Sequence, residues 1–216
     1  MDHYLDVVLV LVLVTNLAIL GASRLSNLIR LAAVQGIAIS VVTILSHHEA
    51  LSAETWVIAG LNFTVMGVLA PWMLRRAMRA ARVEENIDPY LGYVASLALG
   101  LAMFAFSFWL YMRVGAVAQS QVSQLLPYAM TNVLSGLFLI TFRRRAITQV
   151  IGYLVLANGV TLFGIGLASE QPLLVEMGIL IDAFFAVMVM GIAIYHISQE
   201  FESIDVSKLD SLKDEI

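Results

Sequence analysis

Two acids stand inside the last long apolar run, LLVEMGILIDAFFAVMVMGIAIY: Glu176 and Asp182. An acid at the centre of a membrane helix costs about 2.5–3.5 kcal/mol on insertion scales, so its presence there calls for a reason. Asp182 lies nine residues past Leu173, about 13–14 Å along a helix and close to mid-membrane. A carboxyl at that depth is the kind of group that carries protons across a bilayer. The other reading is a structural hydrogen bond to a neighbouring helix. Glu176 lies near the outer end, shortly after Pro172. An acid in a first helical turn complements the helix dipole, and proton transfer is the second reading for it. The offset between the two acids turns a helix by about 600°, leaving them roughly 120° apart. A direct handoff between them needs a water or a polar side chain.

Neutral amides interrupt five of the other apolar runs: Asn16, Gln35, Asn62, Asn132 and Asn158. Each can donate and accept hydrogen bonds. Gln35, Asn62, Asn132 and Asn158 are therefore candidates for a polar relay with ordered waters at mid-depth. Each can equally tie two helices together, a bond worth about 0.6 kcal/mol on average. No lysine lies in any apolar run, so a buried Lys–Glu switch is not encoded. The chain has no cysteine, which excludes a thiolate zinc site and the usual iron–sulfur ligand sets. His3, His47, His48 and His196 form no haem-type pair inside a run, and the side chains of adjacent His47 and His48 point apart. No catalytic residue, metal or cofactor is assigned, and the electrons of any redox reaction must travel through other subunits.

The elements that must hold these groups are membrane helices. Of the 216 residues, 60% are hydrophobic and 13% charged, with a mean hydropathy of +0.88. A soluble domain carries about 25% charged residues, so an ordinary soluble enzyme and a nucleic-acid binder are excluded. Each bilayer crossing takes about 20 apolar residues. Seven runs fit: Leu5–Ala22, Leu28–Leu45, Thr55–Leu74, Tyr90–Tyr111, Leu125–Phe142, Val150–Ala168 and Leu173–Tyr195. The runs are long and do not alternate, which excludes membrane strands. No run is interrupted in the manner of transporter half-helices.

The first run begins with Asp2 and Asp6 and meets Arg24 without a cleavage site, so it reads as a retained helix. Of the twelve basic residues, all but Arg113 fall on one side of this arrangement. They are Arg24 and Arg30, then Arg75, Arg76, Arg79 and Arg82, then Arg143, Arg144 and Arg145, then Lys208 and Lys213. Basic loops stay cytoplasmic, which places the N-terminus outside and the C-terminus inside. The expected fold is an all-α integral membrane protein, a helical membrane domain over 1–199 and a cytoplasmic tail over 200–216. Spans one to three and five to seven share a helix–basic loop–helix–outer loop–helix pattern, a parallel three-helix repeat with the fourth span as connector. Gly152, Gly159 and Gly166 make a smooth stripe on the sixth span, suited to close approach by another helix.

Three segments, Arg144–Gly159 (RRAITQVIGYLVLANG), Leu174–Val189 (LVEMGILIDAFFAVMV) and Ile204–Lys213 (IDVSKLDSLK), carry a resemblance. They resemble membrane component E of hydrogenase-4, part of formate hydrogenlyase-type complexes. The same three-span unit is similar to the K subunit of respiratory complex I and the C subunit of multisubunit cation/proton antiporters. The resemblance implies an integral subunit of a group 4 nickel-iron hydrogenase or formate hydrogenlyase-like complex in the cell (inner) membrane. The implied partners are antiporter-like membrane subunits, other membrane and peripheral redox subunits, and the lipid bilayer. The subunit would line or brace a proton or sodium path and do no bond chemistry. A small antiporter subunit and a purely structural membrane subunit are the competing readings. The resemblance matches Asp182 to the third-helix acid of the K-type unit. The second-helix acid has no match: a relative's GYxLMENG reads GYLVLANG here, with Ala157 in place of glutamate and Asn158 and Gly159 retained.

Overall fold

The computed structural model describes residues 2–46, 53–80, 92–118, 124–143 and 146–167. Glu176, Asp182, the seventh expected span, His47, His48 and the tail from 200 onwards lie outside the described residues. The described elements are α1 (Asp2–Gly21), α2 (Leu25–Ser46), α3 (Ala53–Asn62), a π-helical segment (Phe63–Leu69), α4 (Ala70–Ala80), α5 (Tyr93–Ala118), α6 (Leu126–Phe142) and α7 (Ala146–Leu167). Among the described residues there is no strand. Inside a bilayer no water is present to satisfy the backbone, so helices that bond internally are the expected solution.

Among the described residues, five helices are long and apolar enough to cross a membrane: α1, α2, the continuous rod Thr55–Arg79, α5 and α7. α6 is apolar but has 17 residues, about 25 Å of helix. Pro127 sits in its first turn, and at Arg143 the backbone becomes extended (φ −105°, ψ 131°). Six of the expected runs overlap described helices, with α5 extending to Ala118, beyond Tyr111. α7 begins at Ala146 rather than Val150, because Ile147 and Thr148 are already buried in the bundle.

The third span differs from the uninterrupted α-helix expected. Its middle is π-helical, and the Ala70 N–H donates to the Val65 carbonyl, five residues back. The rod stays continuous, so it is widened rather than broken. Two glycines let it interlock with α2. A Cβ on Gly36 would lie 2.9 Å from the Met66 carbonyl carbon, and one on Gly67 would lie 2.9 Å from Ile37 Cγ1.

α6 and α7 form the tightest pair. A Cβ on Gly136 would lie 2.6 Å from the Leu156 nitrogen, one on Gly152 2.9 Å from the Ile140 nitrogen, and one on Gly159 2.8 Å from the Val133 nitrogen. These contacts run in opposite order along the two helices, so the pair is antiparallel. Two glycines of the expected stripe, Gly152 and Gly159, therefore face α6, and Gly136 answers from the other side. α1 and α6 run in the same direction: Asn16 meets Asn132, and further along both, the Leu20 carbonyl meets Arg143. α2 lies against α1, α7 and the third span, while α5 packs on α1 and α6.

The apolar core falls into two clusters. One holds Ile19, Leu20, Leu28, Ile29, Met66, Leu74, Leu139, Ile151, Leu154 and Ala157, among others. The other holds Leu9, Val12, Ile39, Val42, Ala129, Leu162 and Ile165. Trp56, Trp72 and Trp109 are exposed, and Trp56 lies in the first turn of α3, where an amphipathic ring favours the membrane interface. The Arg76 and Arg113 guanidiniums lie 5.8 and 5.6 Å from the rings of Trp72 and Trp109.

Candidate functional site: a buried amide layer

Each of the four core helices carries one amide in its buried stripe. On α1 the stripe reads Leu9, Val12, Asn16, Ile19. On α2 it reads Leu28, Ala32, Gln35, Ile39, and on α6 Ala129, Asn132, Gly136, Leu139. On α7 it reads Ile151, Leu154, Asn158, Leu162, Ile165. The three- and four-residue spacings place every amide on the face that looks into the bundle. All four are at most 1% exposed. They form one layer between the two apolar clusters. Gln35 lies ten residues into α2 and Asn158 twelve into α7, about 15 and 18 Å along their helices.

The layer is a connected chain. Asn158 Nδ2 donates to Gln35 Oε1 at 3.2 Å, and Gln35 Nε2 donates to Asn132 Oδ1 at 2.7 Å. Asn16 Nδ2 donates to the same Asn132 Oδ1 at 3.0 Å. Asn132 Nδ2 anchors the hub to its own helix through the Tyr128 carbonyl at 3.1 Å. Four helices are therefore joined by three side-chain bonds. The arrangement answers a physical demand, since burying an amide without a partner costs roughly 2–7 kcal/mol. Asn16 Oδ1 and Asn158 Oδ1 remain buried without a partner.

Of the sequence candidates, Gln35, Asn132 and Asn158 come together, with Asn16 as the fourth member. Asn62 is fully buried where α3 passes into the π-helical segment. Glu176 and Asp182 lie outside the described residues. Ala157, at the position where the resemblance puts a glutamate, is 3% exposed and packs in the apolar cluster. No side chain of the described layer carries a charge. Neutral amides bonded directly to one another hold helices in register and do not by themselves exchange protons. Among the described residues no cluster of histidine or acidic side chains could hold a metal.

Arg143 departs from the solvated basic loop expected of it. It is 4% exposed, and its Nη2 donates to the Leu20 carbonyl at 3.1 Å and the Ala22 carbonyl at 3.5 Å. Those carbonyls end α1, where the helix dipole is negative and the last carbonyls lack partners within the helix. Burial lowers the Arg143 pKa from its ordinary value. Gln149 Nε2 returns a bond to the Arg143 carbonyl at 3.0 Å. Sequence spacing could have found this residue, because Arg143 continues the α6 stripe four positions after Leu139.

Residues 124–214 match the family described as NADH-ubiquinone/plastoquinone oxidoreductase chain 4L. Over 195 residues the chain is 30% identical to the uncharacterised protein Rv0085 of Mycobacterium tuberculosis, covering 88% of this chain and 87% of that one. Over 88 residues it is 39% identical to hydrogenase-4 component E of Escherichia coli K12 and of Shigella flexneri, covering 41% of this chain and 41% of each relative. No solved structure matches the chain.

Proposed function

We propose that this chain is a membrane subunit of a complex I-related redox complex, a reading supported by its match to the chain 4L family over residues 124–214 and its likeness to hydrogenase-4 component E over 88 residues. The complex is of the group 4 nickel-iron hydrogenase or formate hydrogenlyase type. Antiporter-like membrane subunits and peripheral redox subunits are its partners, and the cell (inner) membrane is its place. The full reading has seven spans, an outer N-terminus, a cytoplasmic C-terminus and a parallel three-helix repeat. The common direction of α1 and α6 supports the repeat.

The observation that carries the mechanism is the amide layer. Its members bond directly across four helices, and position 157 is a methyl group in apolar surroundings. The described bundle is therefore a brace that keeps the two halves of the chain in register beside an ion path. Proton transfer by this subunit falls to Asp182, with Glu176 nearer the outer surface.

The test is purification in mild detergent with mass spectrometry of what co-elutes. Hydrogenase-like or formate-oxidising subunits together with antiporter-like chains are expected. Antiporter chains alone would move the assignment to a cation/proton antiporter, and a chain running alone would overturn both. In the assembled complex, Asp182→Asn is expected to abolish ion pumping while electron transfer to the acceptor continues. Unchanged pumping would reduce Asp182 to a structural hydrogen bond.

A further inference from the structure

A threonine inside a helix commonly places its hydroxyl on a carbonyl of the preceding turn. Thr15, Thr43, Thr64, Thr131 and Thr141 do so here, at 2.6–3.1 Å. Thr161 does not. It is 1% exposed, and its Oγ1 has no hydrogen-bond partner. Three residues earlier on the same helix, Asn158 Oδ1 is also buried and unpartnered, while its Nδ2 is committed to Gln35.

Residues three apart on a helix are neighbours, with Cβ atoms about 5–6 Å apart. Side-chain oxygens carried on Cβ atoms at that separation come within reach of two hydrogen bonds of about 2.8 Å that meet at one oxygen. We propose that Asn158 and Thr161 bind one internal water molecule. The water donates to Asn158 Oδ1 and accepts from the Thr161 hydroxyl. Internal waters typically serve buried polar groups that have no other partner. Ordering one costs less than leaving a buried acceptor and a buried hydroxyl bare. The chemistry favours water over a cation, because the site offers two neutral oxygens and no carboxylate among the described residues. The consequence for the layer is specific. Amides hold helices but do not pass protons, whereas a bound water can do both.

This inference stands on α7 alone and does not depend on the assignment to a redox complex. The test uses the full-length protein in detergent. Thr161→Val keeps the side-chain shape and removes the hydroxyl, and is expected to lower the melting temperature by about 2–4 °C. Thr161→Ser is expected to restore it. In an Asn158→Leu background, Thr161→Val is expected to cost nothing further, because the shared water is already lost. An unchanged or raised melting temperature for Thr161→Val overturns the proposal, since removal of a bare buried hydroxyl has that effect. If Asn158→Leu does not fold, a density map that resolves ordered waters decides. A peak within about 3.2 Å of both oxygens supports the site, and its absence refutes it.

Discussion

Replacing Asn132 by leucine removes the acceptor on which two buried amides converge. Asn16 Nδ2 and Gln35 Nε2 both point at Asn132 Oδ1, at 3.0 and 2.7 Å. After the change both donors remain buried with nothing to receive them. A buried donor left unpaired costs about 1–3 kcal/mol, so Asn132→Leu is expected to cost about 2–6 kcal/mol before relaxation. Chains unfolded within a membrane also find partners, which lowers the observed value toward the bottom of that range. Asn16→Leu is different, because it removes one bond together with the group that made it. Its cost stays near the average of about 0.6 kcal/mol for an interhelical bond. The order of effects is thus set by network position, although both substitutions convert a buried asparagine to leucine. Adding Gln35→Met to Asn132→Leu exchanges the stranded Gln35 donor for a stranded Asn158 donor, so the double variant is expected to lose about as much as Asn132→Leu alone. The assay is reversible unfolding in mixed micelles, comparing the two single variants and the double. Equal losses for Asn132→Leu and Asn16→Leu would refute the hub. So would a double variant whose loss is the plain sum of its parts.

Helix approach makes a second contrast. Gly136→Ala drives a methyl to 2.6 Å from the Leu156 nitrogen, whereas a Cβ on Gly164 meets nothing within 4 Å. Gly136→Ala is expected to separate α6 from α7 and lower the melting temperature sharply, while Gly164→Ala gains up to about 1 kcal/mol from helix propensity, both read by thermal unfolding. Arg143→Met strips the end of α1 of its donor to Leu20 and Ala22, and is expected to raise amide exchange at the last turn of α1. Protection there equal to the parent would show that Arg143 does not cap that helix. Ala157→Glu places a carboxyl in the apolar cluster that holds Ala157 and Leu154, and is expected to destabilise the isolated subunit. Stability equal to the parent would show that water already reaches this position.

The apolar helices among the described residues, and their polar interruptions, could be read from the chain because they are local properties. Twenty apolar residues in succession have one stable state in a bilayer. An amide within such a run stands out by its type alone. Arg24 and Arg143 were legible in the same way as residues flanking helices. What one chain cannot express locally is which amide meets which. Gln35 and Asn158 are 123 positions apart, and only the packing of α2 against α7 brings them within bonding distance. The π-helical segment at Phe63–Leu69, which meets Gly36 of α2 at Met66, was not marked by its own composition. Arg143 illustrates the division most plainly. Its charge predicted a place at the membrane surface, which sequence pattern determines. Its burial against the end of α1 was decided by the tertiary structure, where helix-end carbonyls supplied partners that water would otherwise have provided.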